Sequence, residues 1–366
     1  MGRFFFGGDM TFSVGDIEKD KEKMQKDNDE EAKKRIVYNE NFASYIIRSS
    51  KFPQQTSLLG MLRFLILSHN KDAFDTETQR IINSTKAAEL IGSHGFMVNS
   101  GHEKNDFKNI CSLGTCFLRK VETAYWPSPL DYKLRIEGFE SISGAVLNGK
   151  PLCIPIIKKG KDEYTSKDRL CSEYVSDSGN ILKEEQVFIE DSRIGIRKNK
   201  EGKTEDNAFY KQIGYRLKDE FQFAFTVEAN EDITRYGKQL VSVGADSSMF
   251  VFEAFQNIEE PGWPHSYKMG ENNWQKIVLL ADSYIENSDI ERVEYAITTM
   301  KPFRFIKSKV EDKTYDVVCN LHKRSERYNL YAAGSVFFVT KEKAGEFKKH
   351  ITDKKEFVQI GYNNCK

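Results

Sequence analysis

The chain of 366 residues is long enough for two domains, and its 55 basic side chains are balanced by 55 acidic ones. A net charge of zero excludes a uniformly basic nucleic-acid-binding protein, so any contact with RNA must come from a local basic patch. Six cysteines without a C-x-x-C pair predict reduced thiols and a cytoplasmic location. No apolar run approaches the roughly 20 residues of a membrane span, so no membrane partner is expected.

The first two thirds of the chain predict one mixed domain with two insertions. The short apolar run at 3–6 predicts a buried first strand, and the interleaved charges at 16–40 predict a solvated insertion. Apolar residues at helical spacing predict a helix over 53–67, and 100–187 is predicted to be an irregular insertion with an Asn148-Gly149 hairpin signal. The pattern then predicts strands at 187–196 and 221–227, a short helix at 232–240 and a strand at 249–255.

The order strand, helix, strand, strand, helix, strand is the βαββαβ pattern of a ferredoxin-like domain, with helices on one face of an antiparallel sheet. We therefore predict an α+β fold with two such domains, a larger one at 1–256 and a smaller one at 257–366. For the second domain the sequence predicts strands at 276–281, 293–298 and 335–340, a helix at 341–351 and a closing strand at 357–362.

No catalytic or metal-binding motif is present in the sequence. The six histidines are far apart and lack the H-E-x-x-H or H-x-x-x-H spacing of metal sites. A glycine at 244 begins no phosphate-binding loop, because no Gly-Lys-Ser/Thr follows it. We therefore expect no catalytic residue, no metal and no cofactor.

The start of the first predicted helix is one candidate RNA contact. Free backbone N–H groups and the positive end of the helix dipole suit a phosphate, and Gln55, Thr56 and Ser57 add polar side chains there. Arg63 follows about two turns along the same helix. Ordinary helix capping by Thr56 or Ser57 accounts for the same residues and remains an alternative.

A basic hairpin is the second candidate. Arg193 and Arg197 are predicted to share one face of a strand, Lys198 lies at its tip, and Phe209 and Tyr210 follow. Basic side chains beside aromatic rings can hold single-stranded RNA by neutralising phosphates and stacking on bases. A solvated surface hairpin is the alternative.

Three further features complete the candidate surfaces. Ile194 and Ile196, between the two arginines, are expected to face the core. We add Ser247 and Ser248, in a break after the 232–240 helix, to the candidate RNA contacts. The aromatic run Phe303-Arg304-Phe305 fits either a surface buried against a partner or the ordinary core.

Five stretches together resemble the RAMP superfamily of CRISPR-associated proteins, whose members contain ferredoxin-like, RRM-related domains. Within it, the chain is most similar to the third-subunit family of type III-B Cmr effector complexes. The stretches that carry the resemblance are 5–12, Pro53 to Arg63, Trp126-Pro127-Ser128-Pro129-Leu130-Asp131, Glu190-Asp191-Ser192-Arg193-Ile194-Gly195-Ile196 followed by Ala208-Phe209-Tyr210, and Ala333-Gly334-Ser335-Val336-Phe337-Phe338.

The resemblance implies a subunit without catalytic activity that acts in antiviral defence. Such a subunit grips the repeat-derived 5′ handle of the CRISPR RNA (crRNA). It also bridges the large polymerase-like subunit to the backbone RAMP subunits, and it meets target RNA only indirectly.

Two other functions remain open at this point. A metal-independent RAMP endoribonuclease would process precursor crRNA with a general acid and base, for which His69, His94 or His102 could serve. A backbone RAMP subunit would instead be present in several copies along the guide. Cleavage of repeat RNA by the isolated chain would indicate the first function, and copy number in the complex would indicate the second.

Overall fold

The computed structural model describes most of the chain, in twelve stretches. They are residues 2–7, 10–14, 44–99, 101–132, 136–147, 150–157, 173–198, 201–244, 248–256, 262–263, 273–310 and 324–366. The predicted charged insertion at 16–40 and the candidate Ser247 lie outside the described residues.

Strands account for most of the regular structure of the described residues. The strands are Met10–Val14 (β1), Ser44–Arg48 (β2), Phe74–Asp75 (β3), Arg80–Ile81 (β4), Ile110–Leu113 (β5), Phe117–Lys120 (β6), Thr123–Pro127 (β7), Ile136–Leu147 (β8), Lys150–Ile157 (β9), Tyr174–Ser176 (β10), Ile181–Leu182 (β11), Phe188–Lys198 (β12), Thr204–Leu217 (β13), Phe221–Ala224 (β14), Val227–Ala229 (β15), Gln239–Ser242 (β16), Met249–Phe252 (β17), Trp274–Val278 (β18), Tyr295–Ile297 (β19), Met300–Phe303 (β20), Tyr328–Tyr331 (β21) and Val336–Thr340 (β22). The helices are Gln55–Ser68 (α1), Ser84–Ile91 (α2), Glu184–Val187 (α3), Asn287–Ile290 (α4), Lys341–Thr352 (α5) and Lys355–Val358 (α6), with one 3₁₀ turn at Ile233–Tyr236.

The fold is α+β with mostly antiparallel sheets, as the sequence predicted. The larger sheets have the strand orders β1-β2-β13-β12, β11-β10-β7-β6-β14 and β18-β22-β19. Within these three sheets the pairing of β2 with β13 is parallel, and the other described pairs are antiparallel. The hairpin predicted at Asn148-Gly149 is confirmed, because β8 and β9 pair antiparallel on either side of those two residues.

The chain forms two compact units that differ from the predicted domains. One unit comprises residues 1–54, 188–219 and 240–250, and the other comprises 55–187, 220–239 and 251–366. The predicted division into 1–256 and 257–366 does not coincide with them. Residues 257–366 belong to the same unit as α1, which the sequence had assigned to the first domain.

The first unit has an aromatic core beneath its four-stranded sheet. Phe4 is 2% exposed, and its ring centroid lies 4.5 Å from that of Phe6 and 6.3 Å from that of Phe188. The backbone of Phe4 exchanges two hydrogen bonds with Tyr215 of β13, at 2.8 and 3.1 Å. The apolar run predicted as a first strand is therefore buried and paired with the sheet.

The second unit contains the helix predicted at 53–67, which the structure places at Gln55–Ser68. Leu58, Leu62, Leu65 and Ile66 are all buried on it, as their spacing predicted. Near the end of the chain, α5 packs on one face of the β18-β22-β19 sheet. Its contacts form a cluster of Ala344, Phe347 and Ile351 with Ile277, Leu279, Phe337 and Val339.

Two of the stretches that carry the resemblance contact each other in the second unit. Leu130 N donates to Gly334 O at 2.8 Å, and Gly334 has a φ of +87°. A Cβ at position 334 would lie 2.5 Å from Ser128 O, so only glycine fits there. Asp131 forms a buried ion pair with Lys276 of β18, at 2.7 Å. Burial lowers the pKa of Lys276.

Three predicted elements are wrong. The helix predicted at 232–240 is a single 3₁₀ turn followed by β16, because the Asp232 side chain accepts from Thr234 N and Gly237, at φ +63°, ends the turn. The closing strand predicted at 357–362 is a short helix and a turn, in which Gly361 has a φ of +85°. The insertion predicted as irregular contains β5 to β11 within its described residues.

The aromatic run at 303–305 belongs to the core rather than to a partner surface. Phe303 is 2% exposed and Phe305 is 5% exposed. Their rings contact Phe96, Tyr328 and one another at centroid distances of 4.9–6.4 Å. The alternative of an ordinary core is confirmed.

Candidate nucleic-acid interface

The candidate interface is the antiparallel hairpin of β12 and β13 in the first unit. The two strands have 11 and 14 residues, and β13 is the longest described strand. Their register pairs Arg193 with Gln212, Gly195 with Tyr210 and Ile196 with Phe209. Directly opposite residues of an antiparallel pair lie on the same face, so this register assigns each side chain to one of two faces.

One face, which we call the polar face, carries Asp191, Arg193, Gly195, Tyr210, Gln212 and Arg216. Gly195 makes room for the Tyr210 ring: a Cβ at position 195 would lie 2.1 Å from Tyr210 Cζ. The ring therefore lies across the ribbon above Gly195, two residues from Arg193 on the same strand. Arg193 is exposed and Tyr210 is 36% exposed, so both can be reached from outside the chain.

Arg3 extends the polar face toward the base of the hairpin. Its Nη2 donates to Gln212 Oε1 at 2.8 Å, and its Nε donates to the Asp191 carbonyl at 3.3 Å. On the other strand, Arg216 Nε lies 3.1 Å from Asp191 Oδ2. Among the described side chains of this face, three guanidinium groups, those of Arg3, Arg193 and Arg216, accompany one carboxylate, that of Asp191. Such an excess of positive charge is the local patch that a neutral protein needs to hold phosphates.

The opposite face of the hairpin, which we call the apolar face, is exposed at its outer end. Ile194 is 64% exposed, Ile196 is 53% exposed and Phe209 is 44% exposed. The expectation that Ile194 and Ile196 face the core is therefore wrong. Core contact on this face begins nearer the base, at Ile213 and Tyr215, which are 5% and 2% exposed. Phe209 lies on the face away from Arg193 and Tyr210, although the sequence had grouped the three.

The remaining hairpin candidates lie near its tip. Lys198 is exposed at the end of β12 and pairs with Thr204 after a shift in register. Arg197 lies within β12, and its side chain is outside the described residues. Sequence reasoning missed Gln212 and Arg216 of β13. They lie two and six residues after Tyr210, so strand alternation alone would have added them to the polar face.

The start of α1 is closed by the protein itself. The Tyr362 hydroxyl accepts from Gln55 N at 3.2 Å and also from the backbone of Thr56. Burial raises the pKa of Tyr362. The Gln55 amide donates to Gly114 O and Ile360 O, both at 2.8 Å, and the residue is 4% exposed. Thr56 and Ser57 are half-buried. Capping by Thr56 or Ser57 was the alternative, but the helix begins at Gln55, so both residues lie inside it, and the acceptor at its start is the Tyr362 hydroxyl.

Arg63 and Ser248 are buried within the units that contain them. Arg63 is 8% exposed and donates to Ile91 O at 3.1 Å and Gly92 O at 3.2 Å. Burial lowers the pKa of Arg63 to about 10, so the group still carries its charge at neutral pH. Ser248 is 2% exposed, and its Oγ accepts from Phe5 N at 2.8 Å. Both side chains therefore form hydrogen bonds inside the fold.

Among the histidines considered as catalytic groups, His102 alone has charged side-chain partners within the described residues. His102 Nδ1 lies 3.4 Å from Glu356 Oε1, and its Nε2 lies 3.3 Å from Lys354 Nζ. His69 Nδ1 instead lies 3.0 Å from the Leu65 carbonyl. Within the described ranges, no group of three or more His, Cys, Asp or Glu residues could hold a metal ion. In the same ranges, no helix is both long enough and apolar enough to span a membrane.

One comparison with known proteins identifies a family for this chain. A family model described as "CRISPR-associated protein (Cas_Cmr3)" matches residues 159–366. Among curated proteins, none matches the chain. Two similar solved chains come from the "Type III-B Cmr-beta bound to cognate target RNA", one of them with AMPPnP. They share 12% and 14% identity, with TM-scores of 0.45 and 0.41, and each match covers 87% of this chain and 86% or 89% of the other. A chain of the "Csm3-Csm4 subcomplex in the type III-A CRISPR-Cas interference complex" shares 12% identity over 78% of this chain and 87% of that one, with a TM-score of 0.27.

Proposed function

Because this chain belongs to the Cas_Cmr3 family of CRISPR-associated proteins, the third-subunit family of type III-B Cmr complexes, we propose that it is a non-catalytic subunit that grips the 5′ handle of the crRNA. The polar face of the β12–β13 hairpin is the observation that carries this proposal. It offers Tyr210 as a platform for a base and Arg193 and Arg216 as partners for phosphates. Lys198, and Arg197 in the same strand, extend the proposed contact toward the tip.

Geometry supports a single-stranded ligand. The Tyr210 ring gives one base a surface for stacking. Such a contact stabilises binding by about 1–3 kcal/mol and does not depend on which base is present. Guanidinium groups on the same face neutralise the adjoining phosphates. Gln55, Arg63 and Ser248 stay outside this proposed surface because their side chains are buried. Thr56 and Ser57 are half-buried at the closed start of α1, and Ser247 lies outside the described residues, so these three remain sequence-based candidates only.

Partner subunits are part of the same proposal. The apolar face of the hairpin exposes Ile194, Ile196 and Phe209, and surfaces of this kind are buried where subunits meet. The β8–β9 ribbon of the second unit likewise exposes Val146 at 65% and Ile156 at 44%. We propose that these surfaces bridge the large polymerase-like subunit to the backbone RAMP subunits, with target RNA contacted only indirectly.

The α+β architecture is proposed to derive from two ferredoxin-like domains. For the C-terminal part, the three-stranded β18-β22-β19 sheet with α5 on one face supports this origin. A cytoplasmic location remains a prediction from the cysteine usage.

A metal-independent endoribonuclease is the second candidate, and the surroundings of His102 favour it. A histidine beside a lysine and a carboxylate could move protons at a 2′-hydroxyl. The two nearest partners are poorly accessible, however: Glu356 is 1% exposed and Lys354 is 6% exposed. Glu286 is more exposed but lies 4.0 Å from His102 Nε2 and also contacts Lys354. We therefore expect no cleavage of repeat RNA by the isolated chain. Cleavage that is lost in His102→Ala would establish the second candidate instead.

Native mass spectrometry of the complex purified through this chain tests the proposed function. We expect one copy of the chain, together with crRNA, the large subunit and several backbone subunits. Several copies per complex would indicate a backbone subunit. In the same complex, the double variant Arg193→Glu/Arg197→Glu should flatten the log–log salt dependence of handle binding by about 1.4, or about 0.7 for each phosphate contact removed.

A further inference from the structure

A small cavity in the second unit lies apart from the hairpin. Its volume is about 230 Å³, and its wall includes Phe117, Trp126, Trp263, Gly361 and Asn364. No charged side chain lines it within the described residues. A phosphate or another ion therefore finds no counter-charge there. Pockets for drug-sized ligands have about 300–1,000 Å³, so this volume suits one small planar group.

Aromatic rings form one side of the cavity. The ring centroids of Trp126 and Trp263 lie 3.8 Å apart at an interplanar angle of 30°, and Phe117 lies 4.7 Å from Trp126. Trp126 is 3% exposed and donates its indole N–H to Gly262 O at 3.3 Å. Trp263 is half-buried, and its indole N–H has no hydrogen-bond partner among the described residues. The Trp263 ring thus offers a hydrogen-bond donor and an aromatic surface to a ligand.

Asn364 also lines the cavity. The Asn364 side chain makes no hydrogen bond within the described part of the chain, while its carbonyl accepts from Leu280 N at 2.8 Å. Its neighbour Asn363 is different: it is fully buried and donates to Tyr284 O and Ile351 O at 2.9 and 2.8 Å. Asn364 therefore carries an amide, with both a donor and an acceptor, that makes no hydrogen bond to the described residues.

The wall formed by two glycines is closely packed. A Cβ at Gly361 would lie 2.5 Å from Gly114 O and 2.0 Å from Gln55 Nε2. Since both glycines line the cavity, Gln55 supports this wall from behind by donating to Gly114 O. The two backbone segments thus pack too closely on this wall to admit a side chain at position 361.

We propose that this cavity receives one nucleobase, which stacks on the Trp126–Trp263 pair and is read along its edge by Asn364. A neutral cavity with an aromatic side and a free amide matches the way single bases are held, by stacking and by hydrogen bonds to the base edge. The choice of a nucleobase over other flat heterocycles rests on the RNA-binding function proposed above. The base could come from the bound RNA strand or from a free nucleotide.

Tryptophan fluorescence of the full chain tests the cavity without any RNA. The chain has three tryptophans, and Trp274 packs against Phe139 outside the cavity, so Trp274→Phe leaves only the cavity pair to emit. We expect saturable quenching of this variant by AMP, GMP, CMP or UMP and none by ribose 5-phosphate. Adding Trp263→Leu should weaken nucleotide binding about 5- to 150-fold.

The amide provides a second variant that leaves the aromatic stack intact. Asn364→Ala should change the relative affinities of the four nucleotides, while the far-ultraviolet circular dichroism stays unchanged. If Asn364→Ala and Trp263→Leu both bind nucleotides as Trp274→Phe does, the cavity is not the site.

Photo-crosslinking in the assembled complex identifies the source of the base. Crosslinks from 4-thiouridine-labelled crRNA to peptides around Trp126 or Trp263 would show that the base belongs to the RNA. Quenching by nucleotides without such crosslinks would show that it belongs to a free nucleotide. The absence of both results overturns the proposal. Hairpin variants such as Tyr210→Ala test the handle function separately, so failure of one proposal leaves the other measurable.

Discussion

Tyr210 and Phe209 are adjacent aromatic residues with opposite expected effects on RNA binding. Tyr210 lies on the polar face above Gly195, and Phe209 lies on the apolar face opposite Ile196. If RNA follows the polar face, Tyr210→Ala should weaken handle binding and Phe209→Ala should leave it nearly unchanged. The two variants remove rings of similar size and exposure, 36% and 44%, so each is the matched control of the other.

The expected magnitude follows from stacking. Loss of one base–aromatic contact costs about 1–3 kcal/mol, which corresponds to about a 5- to 150-fold weaker Kd. Stacking carries no net charge, so the salt dependence of binding should not change in Tyr210→Ala. Arg193→Glu should instead reduce the log–log slope by about 0.7. Charge and stacking are therefore separated by two different readouts on the same face.

Gly195→Ala should disturb the Tyr210 ring without removing it. Its Cβ would occupy the position of the Tyr210 ring, which must then rotate away from the ribbon. We expect a loss of affinity smaller than that of Tyr210→Ala, because the ring is displaced but retained.

The assay is fluorescence anisotropy of labelled 5′-handle RNA with complexes assembled from each variant, at several salt concentrations. Circular dichroism and the yield of assembled complex must match the wild type before affinities are compared. Equal losses in Tyr210→Ala and Phe209→Ala, or a loss in Phe209→Ala alone, would refute the assignment of RNA to the polar face. A loss of assembly in Phe209→Ala would instead agree with the apolar face contacting another subunit.

Four stability predictions concern the second unit. Arg63→Met should lower the free energy of unfolding in urea by about 2–4 kcal/mol, because backbone carbonyls lose their donor, and should leave the salt slope of RNA binding unchanged. Gly361→Ala should lower the thermal midpoint strongly, since its φ of +85° and two short contacts oppose a Cβ. Gly345→Ala, inside α5 with open space around it, should instead stabilise by about 0.5–1 kcal/mol in the same melting experiment. Lys354 lowers the pKa of Glu286, so the stability that this contact adds should be present at neutral pH and be lost as the pH falls below about 4.5. Glu286→Gln should flatten that part of the stability–pH curve, and an unchanged curve would contradict the role of the contact.

Local patterns in the sequence predicted local structure well. The apolar spacing of Leu58, Leu62 and Ile66 was enough for α1, because an isolated helix depends on residues three and four apart. The Asn148-Gly149 pair was enough to predict the β8–β9 hairpin, because a tight turn depends on adjacent residues. The strand predicted at 357–362 was wrong because apolar residues at this spacing can also be buried by a short helix and a turn. The positive φ of Gly361 belongs to the turn and could not be read from the sequence.

Features that depend on distant residues could not be predicted. Charge and spacing made Arg63 a candidate for phosphate binding, but the carbonyls that take its hydrogen bonds come from Ile91 and Gly92, and nothing in the sequence places them beside it. The same limit applies to the hairpin. Residue types identified a basic and aromatic strand pair, whereas the register of β12 against β13 decided which side chains share a face. The two units, each built from three separated segments of the chain, follow from such long-range pairing as well.

Because β2 pairs in parallel with β13, β2 is synthesised long before the strand that it pairs with. Tyr45 of β2 pairs with Tyr210, roughly 165 residues later in the sequence. At a synthesis rate of about 5–20 residues per second, β2 spends about 8–33 s outside the ribosome before its neighbour exists. During that interval its edge is open to any other strand, and short-range contacts of the second unit can form first. Yield in cells should therefore depend on translation speed and chaperone supply more than the folded stability would suggest.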